Sequence, residues 1–402
     1  MDGMKAIANN YDFGPVHAAM QRYVDAVILP GLSCALLIGR DLVDVHCTGW
    51  ANKEEKIPLG IDNIFRLYSQ TKLVTACAAL MLLEEGRFTL DDPIERFIPQ
   101  LSNRLVLKPG ATELTDVEPA RRPITIRHLL SHQSGLSYGL FDPGTLTFKA
   151  YTERKLLDWT ETLAEMMDRL GELPLAFHPG EAWEYSVASD VMARFIEIVS
   201  GQPFDAFLQS RIFDPLEMVD TGFSVPAAKR PRFAALYTGA SLSDPMQPGL
   251  KRIDDAAPET YGFFPPARWL CGGNGLVSTL PDMVALMRSL RPGRSTLLKP
   301  ETISLMMTNQ LPDGVWVKFP GFGELQGVGF GLAGAVTVAP SPRSPDAAVG
   351  DCTWGGLAGT QWWISPKRDC VGLLMTQRFP ALMHPYIFEV IPLVQKVVAG
   401  RG

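Results

Sequence analysis

Ser69-Gln70-Thr71-Lys72, running into Leu73-Val74-Thr75-Ala76-Cys77-Ala78-Ala79-Leu80-Met81-Leu82-Leu83-Glu84-Glu85-Gly86, is the stretch on which the fold turns. Residues three apart on a helix share a face, so the Ser69 hydroxyl and the Lys72 amine are placed to meet. A hydroxyl is a weak nucleophile until a base takes its proton, and a lysine is such a base only with its own pKa pulled down. The helix expected over 69–85 is apolar nearly all round until Glu84, so it should be buried, and Gly86 can end it. Desolvation at the root of such a helix favours the neutral amine. A serine and a lysine three apart are common as a solvated surface pair, and the missing polar stripe sets this pair apart.

The chain has 402 residues, 46% of them hydrophobic and 20% charged, enough for one large or two interleaved domains around ample core. Its net charge of −6, without a basic cluster, gives no reason to expect nucleic acid or an anionic membrane as partner; small molecules are the expected partners. Met1 to Asn10 lacks the charged-then-apolar layout of a signal peptide, and no apolar run reaches membrane-spanning length, so a cytoplasmic location is expected. Cys34, Cys47, Cys77, Cys271, Cys352 and Cys370 are scattered, without zinc-type spacing, and are expected to be reduced and mostly buried.

Along the chain, an amphipathic helix around 13–27 precedes two strand-like runs, Gly31–Ile38 and Leu42–Gly49, joined by Gly39-Arg40-Asp41 as a hairpin. Helical patterns then dominate: Ile124–His132, Glu161–Leu170, Val187–Ser200 and Phe204–Ile212. Pro226–Pro266 is dense in turn residues and fits a long surface insertion. Strand patterns return at Gly327–Val338, Asp351–Gly355, Thr360–Ile364 and Cys370–Thr376, with a closing helix over 384–399. Strands at both ends around a helical middle imply one antiparallel sheet built from distant segments, an α/β arrangement of the α+β type. The expected division is a sheet subdomain from 1–62 and 272–402, and a mainly helical one from 63–271 with the loop-rich insertion around 226–266.

Two further motifs matter. In Trp183-Glu184-Tyr185-Ser186-Val187 a tyrosine stands just before a helix, and Trp354-Gly355-Gly356 interrupts strand-like sequence with two glycines that permit close backbone approach. In this order, Ser69 with Lys72, Tyr185 and Trp354-Gly355-Gly356 resemble the serine β-lactamase and penicillin-binding-protein superfamily, class C β-lactamases included, and above all its family VIII carboxylesterases. His128-Leu129-Leu130-Ser131-His132-Gln133-Ser134-Gly135-Leu136 and Gly272-Gly273-Asn274-Gly275-Leu276-Val277-Ser278-Thr279 look like framework segments of that family. The resemblance implies Ser69 as nucleophile, Lys72 as base and Tyr185 as proton relay, with the backbone N–H groups of Ser69 and Leu357 as oxyanion donors. No cofactor and no metal are implied. A phenol of pKa about 10 is a poor base, but beside an ammonium its phenolate is favoured, so the three side chains act as one unit.

Two departures bear on substrate. Most lactamases of the superfamily place Lys-Thr-Gly where this chain has Trp354-Gly355-Gly356, and that cation helps hold the substrate carboxylate; tryptophan cannot. Val187 stands where the tyrosine motif often carries asparagine, which removes a donor and an acceptor. Trp354, Gly355, Gly356, Tyr138 and Val187 are therefore the expected substrate contacts, with Phe141 and at most one of Trp362 and Trp363 as further aromatic wall, since those two point to opposite sheet faces. The expected reaction is hydrolysis of short- to medium-chain esters with weak or no β-lactamase activity. Acyl transfer, or hydrolysis of a β-lactam or D-amino-acid amide, are alternatives on the same site, and an inactive binding scaffold is the rival of another class.

Three decoys are set aside. Gly135-Leu136-Ser137-Tyr138-Gly139 matches the nucleophile elbow of α/β-hydrolases, but a helical run rather than a strand precedes it. Gly272-Gly273-Asn274-Gly275 lacks the Lys-Ser/Thr of a phosphate loop, and His128 and His132 lack the glutamate of a helical zinc motif.

Overall fold

The computed structural model of the protein describes residues 4–255, 263, 267–291, 297–319, 321–341 and 347–400. The segments 256–262 and 264–266 of the expected insertion lie outside the described residues.

The sheet expected from the two ends of the chain forms. Its eight strands run in the order Val328–Phe330, Ala335–Thr337, Cys352–Gly355, Gln361–Ser365, Cys370–Met375, Gly31–Ile38, Asp41–Asn52 and Ile57–Pro58. Every pairing is antiparallel, and the two chain ends meet where Ser33 faces Met375 and Ile38 faces Cys370. Gly39 turns the N-terminal hairpin at φ +58°, a conformation in which a Cβ would be strained. The expected run 327–338 is two strands rather than one, because Gly331–Gly334 closes a tight turn in which the Gly331 N–H donates to the Gly334 carbonyl.

Two cores sandwich the sheet. The smaller packs Val16, Ala19, Met20 and Tyr23 of the Gly14–Asp25 helix with Val390, Val394 and Val398 of the Pro385–Ala399 helix. The larger lies on the other face, around the helix Thr71–Glu84. All residues from Thr71 to Leu80 are buried there, Lys72 included. Each fully buried leucine or valine contributes about 1.5–3 kcal/mol, which offsets the cost of carrying a lysine inside. Trp362 and Trp363 divide as alternation requires, the first in the large core and the second in the small.

The helices of the middle region shift by a few residues from expectation. Ile124–His132 shortens to Ile126–Leu130, because Thr125 caps it and His132 takes a left-handed φ of +57°. Glu161–Leu170 becomes Leu163–Gly171, opened by a Thr162/Glu165 capping box. Phe204–Ile212 splits into an α-turn, Phe204–Leu208, and a π-turn, Gln209–Phe213. Helices Leu146–Glu153, Leu280–Ser289 and Pro300–Met306 have no counterpart in the sequence reading. All six cysteines are unpaired, five buried and Cys47 half-buried. No helix among the described residues is long and apolar enough to cross a membrane.

Candidate active site

Ser69 lies in a 3₁₀ turn, Tyr68–Gln70, that leads into the Thr71–Glu84 helix. The turn is anchored from three sides. Leu67 N–H donates to the Leu276 carbonyl at 2.9 Å, the Thr360 hydroxyl donates to the Leu67 carbonyl at 2.9 Å, and the Leu276 N–H donates to Thr71 Oγ1 at 3.1 Å. Two strands remote in sequence, Ile64–Arg66 and Val277–Thr279, pair beneath it.

Lys72 Nζ donates to Ser69 Oγ at 3.3 Å and to the Gly273 carbonyl at 2.7 Å. Its Nζ stands 4.6 Å from the centre of the Tyr185 ring and 5.4 Å from that of Tyr138. Tyr185 is held by its neighbours: Trp183 stacks on it, and both the N–H and the hydroxyl of Ser186 reach His132 Nδ1, at 3.3 and 3.1 Å. Burial, then the nearby Lys72 charge, hold the His132 imidazole well below its ordinary pKa, so it is a neutral acceptor here. The Tyr185 hydroxyl accepts from Trp354 Nε1 at 3.4 Å, and their rings are 5.3 Å apart. Thus Ser69, Lys72, Tyr185 and Trp354, from three distant parts of the chain, meet at one place.

The strand carrying Trp354-Gly355-Gly356 docks directly on the Ser69 turn. A methyl group at position 356 would overlap the Leu67 carbonyl and the Thr360 hydroxyl, so only glycine fits. The next residue, Leu357, offers an N–H with no backbone acceptor among the described residues, and the same holds for Ser69.

A cavity of about 460 Å³ opens at Ser69 and Tyr185. Phe141, Val317, Phe319, Leu325, Val328 and Trp354 wall it on the large-core side. It continues past Gly355 and Gly356 to the other sheet face, where Thr353, Gln361 and Trp363 lie opposite Ile387 and Ile391 of the closing helix. Among the described residues lining it, Asp351 carries the one formal charge, and no cation lines it.

Two expected substrate contacts lie elsewhere. Val187 is fully buried in the large core, because its backbone begins the Ala188–Ser200 helix and its N–H is tied to the Ser137 carbonyl. Tyr138 backs Lys72 and stacks on Tyr185 at 5.3 Å without reaching the cavity. Ser137 is buried beside Tyr151, in a loop after a helix. His128 serves as the third residue of a capping box, its Nδ1 accepting from the Thr125 N–H. Potential metal ligands that come together among the described residues are His17, Cys34 and Asp44, beside the small core and separate from Ser69.

Asp190 escaped the sequence reading. It is fully buried in the first turn of the helix that packs on Thr71–Glu84, where its charge attracts Lys72, and its Oδ1 accepts from the Cys271 thiol at 2.7 Å and the Gly273 N–H at 3.3 Å. Burial pushes its carboxyl up, against the pull of those donors and of Lys72. An aspartate five residues after the tyrosine, on the same helix face as the core, was the available signal.

A family model described as Beta-lactamase matches residues 16–392. Esterase EstB of Burkholderia gladioli is 31% identical over 379 residues, spanning 89% of this chain and 91% of that protein. Lovastatin esterase of Penicillium rubens is 32% identical over 340 residues, 79% of this chain and 80% of that one. Among solved structures, EstCE1, described as a hydrolase with promiscuous acyltransferase activity, superposes with a TM-score of 0.80 at 25% identity, covering 95% of this chain and 97% of its own.

Proposed function

The chain belongs to the beta-lactamase family and is a serine hydrolase, and on that premise we propose that it is a family VIII carboxylesterase acting through an acyl-enzyme on Ser69. The observation that carries this reading is the Lys72 amine 3.3 Å from the Ser69 hydroxyl, at the mouth of a cavity without a lining cation among the described residues.

Ser69 Oγ attacks the ester carbonyl while its proton passes to the Lys72–Tyr185 pair. The carbonyl oxygen takes the negative charge and is met by the N–H groups of Ser69 and Leu357. As the tetrahedral adduct collapses, the bond to the alcohol oxygen breaks and Tyr185 returns the proton to it. Water then repeats the sequence, adding to the acyl carbonyl, giving its proton to the pair and releasing the acid and the Ser69 hydroxyl.

The substrate is an uncharged ester of short to medium chain. Trp354 offers no charge to a carboxylate, so β-lactams are poor ligands. Six unpaired cysteines are in keeping with action in the cytoplasm. Acyl transfer to an alcohol is the second reading, favoured by the description of EstCE1. A panel of p-nitrophenyl esters and a chromogenic cephalosporin tests the proposal. Ester turnover that vanishes in Ser69→Ala, with slow cephalosporin turnover in wild type, supports it; fast cephalosporin turnover with idle esters refutes it. Added alcohol that captures most of the acyl group at low concentration would shift the reading to a transferase.

A further inference from the structure

One polar side chain in the cavity is left without an occupation. Gln361 faces Gly355 across the antiparallel pair, so its side chain lies on the sheet face turned to the closing helix, where Gly355 contributes none. The Gln361 carboxamide fills that vacancy, and a methyl group at 355 would overlap it. The residue is only 9% exposed, lines the cavity, and its amide has no hydrogen-bond partner among the described residues. Two N–H donors and one carbonyl acceptor are thus held ready in the cavity that opens at Ser69, over Gly355, which stands two residues before Leu357.

Two polar neighbours of Gln361 in this part of the cavity are engaged. Thr353 Oγ1 donates to the Trp362 carbonyl at 2.8 Å, and Gln395 Nε2 donates to Asp351 at 3.3 Å. Between them the walls are apolar, Trp363 on the sheet and Ile387 and Ile391 on the helix. From Gly355 to Asp351 the strand advances four residues, about 13 Å, which is room for a medium-length chain.

We propose that Gln361 is a specificity-determining residue that hydrogen-bonds a hydroxyl, keto or amide group carried near the ester carbonyl, while the rest of that arm lies between strand and helix. The substrate class is then the ester of an amphiphilic chain, apolar in body with one polar substituent close to the ester. A buried amide left unpaired by a plain chain discriminates against it, whereas a substituted chain satisfies it. This rests on the esterase reading above.

The test compares kcat/KM for p-nitrophenyl octanoate and its β-hydroxy derivative, and for octyl butanoate and the same ester hydroxylated on the third carbon of its alcohol. The first pair places the polar group on the acyl arm, the second on the alcohol arm. Wild type is expected to favour the hydroxylated ester about tenfold in one pair, and Gln361→Leu to bring that ratio to about one. Gln361→Asn, whose shorter amide is drawn back from the cavity, provides a second variant judged by the same ratio. A wild type indifferent to the hydroxyl in both pairs, or a preference that survives in Gln361→Leu, overturns the proposal. Turnover of all four esters in Ser69→Ala instead overturns the esterase reading, and is recognised because it does not depend on the hydroxyl.

Discussion

Ser69 follows Tyr68, whose backbone is held at φ +46°, a region that costs a bulky residue about 1–3 kcal/mol. That turn is over-determined by the bonds to Leu67 and Thr71, and it presents the Ser69 hydroxyl to Lys72. Ser69→Ala, Lys72→Ala and Tyr185→Phe should each lower ester turnover at least about a thousandfold, because groups that act as a unit are lost together. Ser137→Ala should keep most of it; the opposite pattern on p-nitrophenyl butanoate would mean that the nucleophile is misassigned. Asp190→Asn should lower kcat about ten- to a hundredfold with little change in KM, since it alters the charge beside Lys72 and touches no cavity wall. An unchanged kcat would assign Asp190 to packing alone. Ser69 and Lys72 were legible because their encounter is local. Asp190 and the Gly273 carbonyl were not, since they reach Lys72 across sequence gaps that only the packing of helices closes.

Elements, rather than single side chains, set the width of the site. The Cys352–Gly355 strand and the Ser69 turn touch at Gly356, where no Cβ fits. Gly356→Ala should therefore displace the Leu357 N–H and cost about a hundredfold in kcat, measured on the same ester, with KM far less affected. The closing helix begins at His384, whose Nδ1 accepts the Tyr386 N–H and whose Nε2 donates to the Pro245 carbonyl. Burial, then the Arg378 charge, lowers this imidazole to about 4 from 6.5. The unfolded chain thus takes up the proton first, so stability held above pH 6.5 is lost as pH falls toward 4 and changes no further below it. Melting temperatures between those limits should fall by a few degrees less in His384→Asn, which keeps a cap but not the titration. The long strands and amphipathic helices were readable from period alone. Helix Leu280–Ser289 was missed although Thr279 and Asp282 form its cap, because it is short and follows directly on a strand.

Over the whole molecule, one sheet gathers strands from both chain ends and separates two cores, and the site lies where its Cys352–Gly355 strand meets the helical region. That much followed from strands bracketing helices. The extent of the cavity did not, since its far wall is the closing helix, seated by the small core. Tyr138 and Val187 do not line the cavity, because packing rather than residue type or motif position decides which side chains face the open space. The most direct test of the account is to let the active enzyme react with a p-nitrophenyl alkylphosphonate and map the adduct by peptide mass spectrometry. One phosphonyl group on the peptide containing Ser69, formed in step with loss of ester turnover and absent from Ser69→Ala, is the predicted result; an adduct on Ser137 or any other residue, accompanying the same loss of activity, would contradict it.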